Sequence, residues 1–243
     1  AEELLTGDKT SEEEIPEEQE DVEELLGADV PDTKWLRKGA TNLTPVVGTK
    51  KEDVVGSNVY SEIFTYTVGG TTYRALYLWS MIDGEAYLDG DSVYTAYMDD
   101  SEWKKITDVI LDDSITEIKT DRMFEEMESL SHVRLSAKLR YLAGGTFSKC
   151  SALTDITIPK SLKSVAPAGG TFERCSSLES ITFESGTTKI PDYFAFDHTG
   201  NCSLKTVYIP SSVKEIGQEA FYQQGNLENV IFTDPAKTTL SHI

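Results

Sequence analysis

The side chains able to do chemistry are few and scattered. His132, His198 and His242 are the only histidines, and no two stand at the i, i+4 spacing that would put a pair on one metal ion. Cys150, Cys175 and Cys202 include no Cys-x-x-Cys pair, which argues against a thiolate metal site or a dithiol redox couple. No Gly-x-Ser-x-Gly elbow, Walker loop or dinucleotide fingerprint is present. Gly144-Gly145-Thr146-Phe147 and Gly169-Gly170-Thr171-Phe172 look like phosphate loops, but their similarity to each other marks them as turns of a repeat. The acidic run DGEAYLDGD at 83–91 has a faint calcium-loop flavour, yet lacks the spacing and terminal Glu of an EF-hand. These residues assign no catalytic group, no metal and no cofactor.

The cysteines make better sense as architecture. A Leu or Ile opens a unit at Ile106, Leu130, Leu153, Leu178, Leu204 and Leu227, with spacings of 24, 23, 25, 26 and 23 residues. A period in this range is the signature of a solenoid, whose units bury their apolar faces only against one another. Within each unit two apolar residues lie two apart, as in Val109/Leu111, Val133/Leu135, Ile156/Ile158, Ile181/Phe183, Val207/Ile209 and Val230/Phe232. That is the alternation of a strand with one buried face. Pro159 and Pro210 follow directly and end their strands. A second apolar pair comes after the turn (Ile115/Ile118, Leu162/Val165, Val213/Ile216), and an aromatic closes the unit at Phe124, Phe147, Phe172, Phe196 and Phe221. Three residues beyond the ring stand Met127, Cys150, Cys175 and Gln224, with Cys202 near the matching place. One thiol per unit at fixed phase reads as a ladder of buried small hydrophobes. A Cys150–Cys175 bridge stays open but is not predicted.

These units resemble the BspA-type leucine-rich repeat of bacterial surface proteins. The resemblance is carried by LTDITIPKSLKSV, LKTVYIPSSVKEIGQEAF and the Phe-x-x-Cys-x-x-Leu junctions at 147–153 and 172–178. The stretch 71–114 also looks like the segment that commonly precedes such arrays. The resemblance implies a secreted or cell-surface protein with a role in adhesion or host contact. Unit four departs from the pattern: FESGTTKIPDYFAFDHTGNCS lacks the Pro after its strand and carries extra residues before Leu204, so a bulge is expected there.

Residues 1–32 hold 14 Asp/Glu against one Lys, and so carry most of the chain's net charge of −20. Dense like charge without aromatics gives an acidic, disordered leader or spacer. The first residue is Ala1 rather than Met, which suggests a removed signal or lipoprotein leader, or a trimmed chain. No apolar run is long enough to span a bilayer. Residues 33–105 read as an N-terminal β cap, needed because the first coil would otherwise expose its apolar end. Gly69-Gly70 marks a hairpin there, with Ile63, Tyr66, Val68, Tyr73, Leu76 and Leu78 supplying buried faces. A short strand, a turn at Asp89-Gly90 and a helical turn before Trp103 follow. Residues 106–243 are the repeats. The sixth stops without a capping unit, leaving an edge open to self-association unless the tail 233–243 covers it or the array continues.

The resulting expectation is a right-handed, β-rich leucine-rich-repeat solenoid of about six units with an N-terminal β cap. Outward residues of its strands form two rows: Ile110, Arg134, Thr157, Thr182, Tyr208, Ile231, and Asp108, His132, Asp155, Ser180, Thr206, Asn229. Exposed Ile110 and Ile231 are mild anomalies that favour contact, with capping segments as candidates for both. His132 is read as a solvated surface side chain. The binding strip assigned from these rows is His132, Arg134, Asp155, Thr157, Thr182, Thr206 and Tyr208, engaging a protein or glycan at the cell surface. The alternatives are a structural spacer within a longer surface protein and, last, an enzyme within 33–105. The negative charge disfavours nucleic acid and anionic membranes as partners.

Overall fold

In the computed structural model, residues 32–82, 85–97, 101–167, 170–195 and 197–233 are described. The acidic leader to Pro31, Phe196 and the tail from Asp234 lie outside them. Short strands dominate, because the inward positions are mostly β-branched or aromatic and every unit is interrupted by turns.

A hairpin starts the main sheet. Strand β3 (Tyr60–Val68) runs antiparallel to β4 (Thr71–Trp79), and β1 (Thr41–Pro45) and β2 (Lys51–Glu52) pair with β3. Gly69 and Gly70 join them with φ of 55° and 85°, the left-handed pair that a two-residue hairpin turn demands. Strand β4 then pairs in parallel with β6 (Asp108–Leu111), and β6 with β8 (His132–Arg134). The first coil thus meets a hydrogen-bonded neighbour instead of solvent. Beside β8 comes a second parallel run: β10 (Asp155–Ile158), β12 (Ser180–Phe183), β14 (Thr206–Ile209) and β16 (Asn229–Phe232).

The second limb of each coil stacks likewise. Strands β5 (Ala86–Leu88), β7 (Ile115–Ile118), β9 (Tyr141–Leu142) and β11 (Ser164–Val165) form one parallel sheet. The pair β13 (Lys189–Ile190) and β15 (Glu215–Ile216) forms another. The only α-helical turn among the described residues is α1 (Val93–Ala96), capped by Ser92, whose side chain accepts from the Thr95 amide.

Between the limbs lies one core. The unit-opening residues from Ile106 to Leu204 are fully buried, and the inward pairs up to Val207/Ile209 are buried too. The phenylalanines stack as expected, Phe124 on Phe147 at 5.4 Å and Phe147 on Phe172 at 5.9 Å. The next rung departs from the expectation. Phe194 meets Phe172 at 5.8 Å and Phe221 at 6.3 Å, while the expected Phe196 lies outside the described residues. The extra residues of unit four therefore fall after the ring. The fully buried carboxylate of Asp197 organises them, accepting from the Thr199 amide, the Thr199 hydroxyl and the Cys202 amide at 2.9 Å each.

All three thiols are buried and free. Cys150 Sγ donates to the Phe124 carbonyl at 3.1 Å and Cys175 Sγ to the Phe147 carbonyl at 3.0 Å, so each tethers the ring's backbone one coil back. Gln224 does the same with its amide, Nε2 to the Ala195 carbonyl at 2.6 Å. Two residues after the ring the backbone turns through a left-handed residue in coils one, two, three and five, at Glu126, Lys149, Arg174 and Gln223, with φ between 57° and 62°. The interior opens at the last coil: Val230, an inward position, is 47% exposed because no described strand stacks beyond β16.

Candidate functional site

The strip residues share one face. Register holds Asp155 opposite Ser180, Ser180 opposite Thr206 and Thr206 opposite Asn229. It holds Thr157 opposite Thr182, Thr182 opposite Tyr208 and Tyr208 opposite Ile231. On β8, His132 and Arg134 stand opposite Asp108 and Ile110 of β6. Asp155 and Thr157 are exposed, while Thr182, Thr206 and Tyr208 are half-buried.

The same face is closed over its first strands, which corrects the expectation for Asp108 and Ile110. Both are fully buried. The segment 33–37 crosses them as a strap. Arg37 Nε donates to Asp108 Oδ1 at 2.9 Å, and its Nη2 donates to Ser131 Oγ at 2.8 Å. The guanidinium lies 4.5 Å over the Tyr73 ring. Asp108 Oδ2 accepts from Tyr66 OH at 3.0 Å and from Thr107 Oγ1 at 2.7 Å. A carboxylate with no solvent thus receives a cation and two hydroxyls, the condition for burying a charge. Burial and the Asp108 carboxylate push the Tyr66 hydroxyl far above the ordinary tyrosine range.

Tyr66 itself faces outward, opposite Tyr73 and stacked on it at 5.5 Å, whereas Ile63 faces the core. The hairpin is therefore apolar on both sides. Its outer side carries Phe64, Tyr77 and Trp79, all buried, with Tyr77 stacked on Trp79 at 4.9 Å. Strap residue Trp35 lies 6.4 Å from Tyr77 and 4.1 Å from the Arg134 guanidinium.

Two strip residues consequently depart from the expectation. Arg134 donates to the Leu111 carbonyl and pairs with Asp113 at 2.7 Å while covering Trp35. It is a clamp on the strap. His132 is half-buried rather than solvated, and its Nε2 is buried without a hydrogen-bond partner. The open strip begins at Asp155 and Thr157. Where strap meets strip, Trp35, His132, Arg134, Thr157, Pro159 and Glu184 line a groove of about 310 Å³, the lower end of the size range of ligand sites.

Among the described residues no three His, Cys, Asp or Glu side chains converge on a metal position. Burial pushes the Cys150 thiol up to about 12 and the Cys202 thiol up to about 11, the opposite of an activated nucleophile. The glycine turn that looks like a phosphate loop spends its Gly144 amide on Asp121 Oδ1 at 2.8 Å. What the face offers is a row of hydroxyls, one open carboxylate and a tyrosine, fixed by ladder hydrogen bonds.

The profile of the BspA type leucine rich repeat region matches residues 101–228, in six copies. That is more than half of the 243 residues. The chain belongs to this family. Its repeats serve a binding or structural role, and its members are generally without enzymatic activity. Among curated proteins none matches the sequence significantly. Solved structures with a similar chain include a leucine-rich repeat protein from Eubacterium ventriosum, 17% identical, covering 79% of this chain and 45% of that one with a TM-score of 0.50. A T. pallidum leucine rich repeat protein is 24% identical over 65% of this chain and 68% of its own, with a TM-score of 0.48. A leucine rich cell surface protein from Faecalibacterium prausnitzii is 21% identical over 69% of this chain and 54% of its own, with a TM-score of 0.36. The Eubacterium likeness is one of fold, and this chain spans less than half of that protein's length. No helix of the described residues is long and apolar enough to cross a membrane.

Proposed function

We propose that the chain is a non-enzymatic binding module of the bacterial cell surface, engaging a protein or glycan through the open outward face of β10, β12, β14 and β16. Family membership supports the surface setting. One observation carries the site: the face sealed by the strap over β6 continues with no cover among the described residues from Asp155 and Thr157 onward, with Thr182 and Tyr208 in register. Rigid strands that hold side chains in fixed rows reduce the ordering cost of binding. A mixed polar and aromatic row is the composition of recognition surfaces rather than of enzyme clefts. The region 33–105 has no histidine and no cysteine in its sequence, so nothing there favours the enzyme alternative.

The test is capture on glycan and matrix-protein arrays by the full chain and by Thr182→Arg, which plants a bulky cation mid-strip without touching the core. Loss of captured signal in the variant supports the assignment. Retention in Thr182→Arg and in Tyr208→Ala overturns it, and no capture by the unmodified chain favours the structural-spacer alternative.

A further inference from the structure

The covered part of the outward face shows what the face accepts. Its centre is Thr107-Asp108, where Arg37 is held. The same local sequence returns two coils later, as Ile106-Thr107-Asp108 and Leu153-Thr154-Asp155. The backbone returns with it. The Thr107 carbonyl accepts from the amides of Ser131 and His132 at 2.9 and 3.1 Å, and the Thr154 carbonyl accepts from those of Glu179 and Ser180 at 2.8 and 3.3 Å. In both places the threonine hydroxyl donates to Oδ2 of the following aspartate, at 2.7 Å in the first and 2.9 Å in the second. The two differ in occupancy. Asp108 lies under an arginine, whereas Asp155 is exposed and no lysine or arginine among the described residues pairs with it. Glu179 stands where Ser131 stands in the first site, adding a second carboxylate, which Lys205 holds at 2.6 Å.

We propose that Asp155 is the open counterpart of the Arg37 site, and that the partner docks there with an arginine carried on an extended protein segment. This rests on the preceding reading that the open face is where a partner binds, and it names the partner's chemistry. An arginine presents a planar fork that meets a carboxylate and a neighbouring acceptor together, which a lysine cannot do. The chain's net charge of −20 draws cationic segments toward it. The strap itself, with Trp35 two residues before Arg37, is an example in cis of a segment that this face retains.

The probe is the blocked peptide DTKWLRKGA, identical to residues 32–40, titrated into the isotope-labelled full chain at low salt. Shifts at the amides of Thr154, Asp155 and Ser180 are expected. Affinity should drop about two- to fivefold in Asp155→Asn and for the peptide with glutamine in place of its arginine, the scale of an exposed ion pair. Asp155 is exposed, so Asp155→Asn leaves the fold intact. Shifts confined to Asp108 and its neighbours mean that the peptide only exchanges with the strap, and overturn the proposal. Unchanged affinity in Asp155→Asn also overturns it. If Thr182→Arg abolishes array capture while the peptide ignores Asp155→Asn, the arginine assignment falls and the binding face stands. If the peptide depends on Asp155 while capture ignores Thr182→Arg, only the wider binding-face reading falls.

Discussion

Arg37 and Asp108 are 71 positions apart in sequence, and the guanidinium of one closes over the fully buried carboxylate of the other at 2.9 Å. The contact turns the segment before β1 into a strap over β6. Removing one partner of such a pair leaves an uncompensated charge without water.

Arg37→Ala is therefore expected to lower stability by about 3 kcal/mol, the range for an orphaned buried charge. The double variant Arg37→Met/Asp108→Leu should recover much of the loss, because no charge is then stranded. Urea unfolding of the three proteins checks this. A single variant within about 0.5 kcal/mol of the parent would place the pair among surface ion pairs instead.

Much of this was legible in residues. The period, the inward pairs and the proline stops dictate the strands, and each appears where the alternation puts it. What the repeat could not show was the strap, because a period describes contacts between neighbouring coils and Arg37 belongs to none of them. Ile110 was the available signal: an apolar outward residue implies a cover, and Trp35, flanked by cations, was the segment suited to aromatic and acidic surface. Unit four misled for a different reason. Phe194 and Phe196 share strand parity, and even spacing favoured the later ring. The chain instead keeps only three residues between Ile190 and its ring and places the surplus in a loop tied by Asp197. His132 and Arg134 fall on the predicted face, but Arg134 clamps the cover and His132 is half-buried.

Equivalent positions should differ in energy by coil. Val207 and Val230 hold the same register, the first fully buried and the second 47% exposed. Val207→Ala should cost about 2 kcal/mol, two buried methyls plus the cavity they leave. Val230→Ala should cost well under about 1 kcal/mol, since little transfer energy is lost there. Equal costs in chemical denaturation would mean that the last coil is covered.

Stability should fall at high pH through the thiols. An unfolded cysteine ionises near 9.0, whereas the folded Cys150 and Cys202 thiols are pushed up by burial to about 12 and about 11, and Cys175 is raised too. The folded state then holds protons that the unfolded state has lost, so this contribution is complete below pH 9 and drains away as pH rises toward the folded values. Denaturation midpoints measured from pH 8 to 11 should decline, and the decline should flatten when the three cysteines are replaced by alanine in a chain that still folds. An iodoacetamide assay at pH 8 should label none of the three until denaturant is added.

The division of one face into a covered and an open part is best tested by single cysteines placed along it, with Ile110→Cys, Thr182→Cys and Tyr208→Cys each labelled in the folded chain. The account predicts rapid modification at 182 and 208, and modification at 110 slower by about a hundredfold or more, rising when Arg37→Ala loosens the strap. Labelling at 110 as fast as at 182, with the strap intact, would contradict it.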